Sequence, residues 1–229
     1  MGAASSRFAE TDWDKNDGCC PRDATLDGSA PTLSHTILTL KKTKSLVNQR
    51  EFEVRNDQDL LLYKSVGVEG TTKEFELFAV ASNSTLFRVI PDADHTYWTV
   101  YGHNRIFEGQ VPSKDNRWYK TAIVHIAWDH CHGDVHMMVP GDDPSGVPGD
   151  AILKVETIKS ITAQYQAFRP SESPSILHPP LTAHWVWEHT EHSHQLKMHL
   201  SKGCDLAIHV LLAIITNLVT VEQKSKSEK

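Results

Sequence analysis

Gly203-Cys204-Asp205-Leu206-Ala207-Ile208-His209-Val210-Leu211-Leu212-Ala213-Ile214-Ile215-Thr216-Asn217-Leu218-Val219-Thr220-Val221 is the one stretch of this chain that is apolar almost without interruption. Gly203 breaks the preceding pattern and Asp205 can cap a helix, so the spacing predicts a helix over 205–221. A helix apolar on nearly all sides either crosses a membrane or is surrounded by protein. At 1.5 Å per residue, about 17 residues reach roughly 26 Å, short of the roughly 20 residues that a span prefers. At 100° per residue, Asp205, Thr216, His209, Thr220 and Asn217 fall within an arc of about 120°. A lone span gains nothing from such a stripe, whereas an enclosed helix can turn it toward hydrogen-bond partners or a wet opening. The expectation is a helix buried in its own protein, with a membrane-spanning helix as the alternative.

Working backward from this helix, residues 34–200 alternate apolar and polar positions with period two, broken by turn residues. Candidate strands include Thr36 to Leu40, Phe52 to Arg55, Leu60 to Val66, Glu74 to Phe78, Leu86 to Ile90, Tyr97 to Tyr101 and Arg105 to Glu108. Ala122 to Trp128 with Val135 to Val139, Ile152 to Glu156, Ile161 to Phe168, and a last hairpin of His184 to His189 with His194 to Leu200 complete the series. Pro140 to Asp150, with three glycines, is expected to be the longest irregular connection. No helical stretch intervenes, which disfavours an α/β fold because parallel strands need crossover helices. An antiparallel barrel or sandwich remains, and a barrel would thread the late helix through its lumen. Trp98, Trp118, Trp128, Trp185 and Trp187 are expected in the core rather than as lipid anchors.

Composition narrows the functional classes. With 39% hydrophobic residues in 229 the chain can build one large core, and a formal charge of -6 opposes nucleic acid as a partner. The opening residues lack the apolar run of a secretory signal, so an intracellular chain with reduced thiols is expected. They do match M-G-x-x-x-[ST], with Gly2 as a myristate acceptor and Ser6 in place. Because one C14 chain holds a membrane only marginally, a second signal is needed, and the vicinal Cys19 and Cys20 offer palmitoylation. Residues 1–33 read as a solvated tether, possessing six acidic residues against Arg7, Lys15 and Arg22, and residues 222–229 as a short polar tail.

Catalytic signatures are missing: there is no G-x-S-x-G, P-loop or G-x-G-x-x-G, and no C-x-x-C pair among the four cysteines. The expectation is a non-enzymatic protein with no cofactor and no metal. Among the fourteen histidines, His189, His192 and His194 at the last hairpin are the group a metal-dependent hydrolase would use, beside a second group of His130, His132, His136 and Asp134. Neither carries an H-E-x-x-H pattern. Asp142, Asp143 and Asp150 lack the spacing of a calcium loop and read as a plain turn.

An acidic tether, many short antiparallel strands and one closing hydrophobic helix make this chain resemble the Tubby C-terminal-like superfamily, in its LURP-one-related and phospholipid-scramblase-like branches. Phe52-Glu53-Val54-Arg55 followed by Leu61-Leu62-Tyr63-Lys64, then Glu74 to Val80, Leu86 to Ile90 and Cys204 to Val221 carry the resemblance. It implies a mainly β fold: a closed antiparallel β-barrel of about twelve strands over 34–221 around a central hydrophobic C-terminal α-helix. It also implies membrane association and lipid binding, and scramblase-like members carry palmitoylated cysteines, in keeping with Gly2, Cys19 and Cys20. The phosphoinositide site of Tubby proteins depends on basic residues, for which Lys41, Lys42 and Lys44 are the compact group here. The resulting expectation is a cytoplasmic lipid-binding or adaptor protein, peripherally attached to the cytoplasmic leaflet through acyl groups and open to a protein partner. The alternative is a scramblase-like protein with a spanning C-terminal helix.

Overall fold

Alternation along each strand is what closes the sheet: one set of side chains must face inward on every strand, and the sheet curls until its two edges meet. The computed structural model describes residues 32–43, 51–71, 73–113, 117–127, 132–159, 164–168, 170, 181–190 and 193–227. Twelve strands run in chain order: β1 (Thr36–Lys42), β2 (Phe52–Asn56), β3 (Leu61–Gly67), β4 (Phe75–Ala79), β5 (Ser84–Pro91), β6 (Tyr97–Gly102), β7 (Tyr119–Ile126), β8 (His132–Val139), β9 (Val147–Lys159), β10 (Gln164–Phe168), β11 (Leu181–Thr190) and β12 (Ser193–Leu200). Each pairs antiparallel with its neighbours in sequence, and β1 pairs with β12, so the barrel is closed. The closing register sets Thr36 opposite Leu200 and Leu40 opposite Leu196. Closure leaves none of the twelve described strands at a sheet edge.

The single described helix, α1 (Leu206–Ser227), fills the lumen. Every residue from 207 to 219 is buried, and at 100° per residue such a run covers the whole circumference of the helix. Its neighbours are the inward positions of the strands, among them Leu38, Val54, Phe75, Val89, Trp98, Val124, Ala183, Trp185 and Met198, which form one continuous core with Leu211, Ile214 and Ile215. Trp98 and Trp185 thus lie in the core as expected. Trp118 instead packs against His103 in a loop, with ring centroids 4.3 Å apart. Trp128 lies outside the described residues.

Three local expectations are corrected. Arg105 to Glu108 does not form a strand; it belongs to the 103–118 connection, which is longer than the stretch after Val139. The reason is Gln110, buried in this loop, whose side chain accepts from the Ile106 amide (2.9 Å) and donates to the carbonyls of Lys120 (2.7 Å) and Ser145 (3.0 Å). Those bonds do the work of a sheet ladder. Second, β9 already begins at Val147, so part of the expected Pro140 to Asp150 loop is strand paired to Val139. Third, the helix continues past Val221 through residues expected to form a polar tail. Glu, Gln and Lys favour helix, and extending a formed helix adds one hydrogen bond per residue fixed.

Leu211, fully buried on α1, tests the enclosure. Leu211→Ala should lower stability by about 2–5 kcal/mol, while Val66→Ala on the exposed wall should stay within about 0.5 kcal/mol. Urea denaturation of both variants measures the difference.

Candidate functional site

Because the strands alternate in direction, the barrel has two unlike ends. The proximal end gathers the β2–β3, β4–β5, β6–β7, β8–β9 and β10–β11 connections with the junction from β12 into α1. The distal end gathers the remaining hairpins and the point where α1 leaves the lumen.

At the junction the chain turns from strand to helix in buried surroundings, and several of its backbone groups are taken up by Thr32 and Asp205. Gly203 takes a left-handed conformation (φ 80°) and the chain doubles back toward Thr32. The Thr32 amide donates to the Cys204 carbonyl (3.0 Å), and the Gly203 amide donates to the Thr32 carbonyl (2.8 Å). The Thr32 hydroxyl donates to the Ser201 carbonyl (2.8 Å) and accepts from the Cys204 amide (2.8 Å). Asp205 caps the helix, one carboxylate oxygen accepting from the amides of Ala207 (2.9 Å) and Ile208 (3.2 Å). The thiol of Cys204, buried, donates to the Thr182 carbonyl at 3.2 Å. Thr32, the first of the described residues, is thus tied into the barrel, two positions ahead of the strand region expected from residue 34.

Of the polar stripe expected on α1, His209 reaches a hydrogen-bond partner on the wall, whereas Thr216 turns back onto its own helix. His209 Nδ1 lies 2.6 Å from the Asp205 carbonyl and Nε2 lies 3.2 Å from the Thr182 hydroxyl. A carbonyl only accepts, so the assigned tautomer carries its proton on Nδ1 and accepts the Thr182 hydroxyl proton on Nε2. Burial pushes the His209 pKa down to about 4, against the small opposing effect of the Asp205 carbonyl. Thr216 folds its hydroxyl back onto the carbonyls of Leu212 (2.9 Å) and Ala213 (3.0 Å).

Sequence reasoning missed a row of polar side chains on the outer wall. His132, Glu156, Gln166, His184 and His199 are register neighbours across β8 to β12. Gln166 donates to Glu156 at 3.1 Å, and His199 meets His35 with ring nitrogens 3.2 Å apart and the rings stacked. Although His184 occupies an outward position, it is 1% exposed. Burial first, then the neighbouring His199, pushes its pKa down to about 4; burial, then His35 and Lys197, does the same to His199. Only the cross-strand register, which a linear reading lacks, brings these residues together.

The residues singled out from sequence fare differently. Lys41 and Lys42 end β1 at the distal end, Lys41 opposite Glu53, and Lys44 lies outside the described residues. His189 and His194 are register partners in the distal β11–β12 hairpin, whereas His192 lies outside the described residues, as do Gly2, Cys19, Cys20, His130 and Cys131. Among the described residues no group of three or more His, Cys, Asp or Glu residues is placed to hold a metal ion. Asp143 closes a turn by accepting from the Ser145 amide (2.8 Å), and that bond is the main cause holding its carboxyl below the usual range. No described helix is long and apolar enough to cross a membrane.

No protein-family description matches the chain, and no curated protein matches it. An X-ray structure of a protein from Arabidopsis thaliana is similar over 86% of this chain and 98% of that one, with a TM-score of 0.57 and 12% sequence identity. At that identity the likeness speaks for the fold alone.

His184, His199 and His209 give the barrel a pH dependence whose sign is set by their lowered values. Between pH 6.5 and about 4 the unfolded chain binds protons that the folded one refuses. Stability should be full above pH 6.5 and fall through this window; in His209→Gln the fall should be shallower. Denaturation midpoints at half-unit pH steps read both slopes.

Proposed function

We propose that this chain is a non-enzymatic, Tubby-like lipid-binding or adaptor protein of the LURP-one-related type, held at the cytoplasmic leaflet by acyl groups on Gly2 and on Cys19 or Cys20. The observation that carries this reading is the enclosure of α1. Its apolar residues are taken up by the barrel wall from Ala207 to Val219, so the strongest hydrophobic segment has no surface left for a bilayer. That weighs against the spanning helix of the scramblase-like alternative and leaves the N-terminal segment as the means of attachment.

Two features support the tether. The first is the pairing of a myristoylation pattern with a vicinal thiol pair twelve residues before Thr32, a combination that satisfies the need for two lipid signals. The second is that the twelve described strands close among themselves through β1 and β12, so none of them is drawn from the segment that would bear the lipid.

Gly2→Ala, or Cys19→Ser combined with Cys20→Ser, should move most of the protein from the membrane to the soluble fraction of a cell lysate. Unchanged partition in both variants would remove the tether from this account.

A further inference from the structure

Surface aliphatic side chains are ordinary when scattered, so what matters is how they are distributed. Of the eight large hydrophobic residues exposed among the described residues, five lie at the proximal end: Leu33, Leu60, Val80, Val111 and Val139. Leu33, 86% exposed, precedes β1, and Leu60, 60% exposed, ends the β2–β3 turn. Val80 and Val111 belong to the β4–β5 and β6–β7 connections, and Val139 is the last residue of β8, where the β8–β9 connection begins.

These side chains are presented by fixed backbone. The Leu60 amide donates to the Asn56 side chain (2.8 Å) beside Asp59, which sits in the left-handed region at φ 61°. The Val80 amide donates to the Leu62 carbonyl (2.9 Å) and the Val111 amide to the Pro144 carbonyl (3.1 Å). Val139 is held in register with Val147. A rim of aliphatic groups held outward on tied turns resembles the shallow apolar contact that interfacial proteins make with acyl chains.

Charge narrows the surface it fits. Arg55 pairs with Asp59 (3.7 Å) and Lys120 with Asp143 (3.7 Å), leaving Asp57, Glu108, Asp142 and the buried helix cap Asp205 against Arg105, Arg117 and Lys202 among the described residues of this end. Counted over the described residues, the mouth is close to neutral and slightly acidic, a balance that does not draw it to anionic lipid. The chain preceding the barrel joins at this same mouth, through Thr32. Even fully extended, the twelve residues from Cys20 to Thr32 span at most about 43 Å. An acyl group at Cys20 therefore keeps the mouth close to the leaflet.

We propose that the proximal mouth is the face this barrel lays against a bilayer, seating Leu33, Leu60, Val80, Val111 and Val139 among zwitterionic headgroups. The orientation rests on the membrane association proposed above, and adds to it which face meets lipid.

The test is hydrogen exchange by mass spectrometry on the acylated full-length chain, free and bound to phosphatidylcholine vesicles. Amides at 57–60, 80–83, 104–112 and 140–146 should slow at least five-fold on vesicles, with 69–71 and 92–96 at the distal end unchanged. The variant Leu60→Asp, Val80→Asp, Val111→Asp, altered only at exposed positions, should lose that protection while its thermal unfolding stays near the parent's. Vesicle-bound protein with protection at the distal end, or at neither end, would overturn the orientation and leave the tether standing. Acylated protein that does not sediment with the vesicles would overturn both. Protection of the mouth that appears without vesicles and grows with protein concentration would assign this face to a second copy of the chain and overturn the proposal.

Discussion

A helix with almost no polar face has to be enclosed, and that requirement shapes the rest of this molecule. Eight strands make a barrel just wide enough for its own side chains, whereas twelve leave a lumen that something must occupy. Here α1 occupies it. The wall and the rod are mutually dependent: without the helix the inward faces of Leu38, Phe75, Val100 and Leu196 would border an empty channel, and without the wall the helix would expose Leu211, Leu212, Ile214 and Ile215 to water. Large inner residues such as Trp98 and Trp185 alternate with Ala122, Ala167 and Ala183, so the lumen is shaped to a helix rather than simply wide.

Enclosure has a polar consequence. A helix that starts inside a dry wall brings orphan amides and a sharp change of chain direction with it. Asp205 answers the first, and the exchange of hydrogen bonds among Thr32, Ser201, Gly203 and Cys204 answers the second. The bonds of Thr32 join residues about 170 positions apart in the chain, and the β1–β12 ladder joins residues nearly as distant, Thr36 with Leu200 and Lys41 with Gln195. The two ends of the barrel sequence must therefore meet before the helix start is secured, which puts the molecule among topologies dominated by non-local pairing. His209 belongs to the same device, since its neutral ring links the first turn of the helix to Thr182 on the wall.

Much of this was legible in the linear pattern. Phe52-Glu53-Val54-Arg55 alternates as a strand and is one, and Asp205 caps the helix it was expected to cap. Arg105 to Glu108 misled because Gln110, four residues from Ile106, supplies by side chain what a strand supplies by backbone. The polar row from His132 to His199 was invisible for a different reason: its members come from five strands and are neighbours only through register. Of the lipid-directed residues, Lys41 and Lys42 fall on a described strand, while Gly2, Cys19 and Cys20 lie outside the described residues and rest on chemistry read from the chain itself.

By itself the sequence determined that the chain is mainly β, that its last element is a largely apolar helix whose few polar residues gather on one side, and where that helix begins. Period-two and 3.6-residue repeats are local, and local geometry reads them directly. Tertiary structure alone decided that the sheet closes through β1 and β12, which outward histidines share a row, and that one mouth of the barrel collects a rim of aliphatic side chains. These depend on which strands lie side by side and which turns share an end, and that arrangement arises only when the whole circumference has formed.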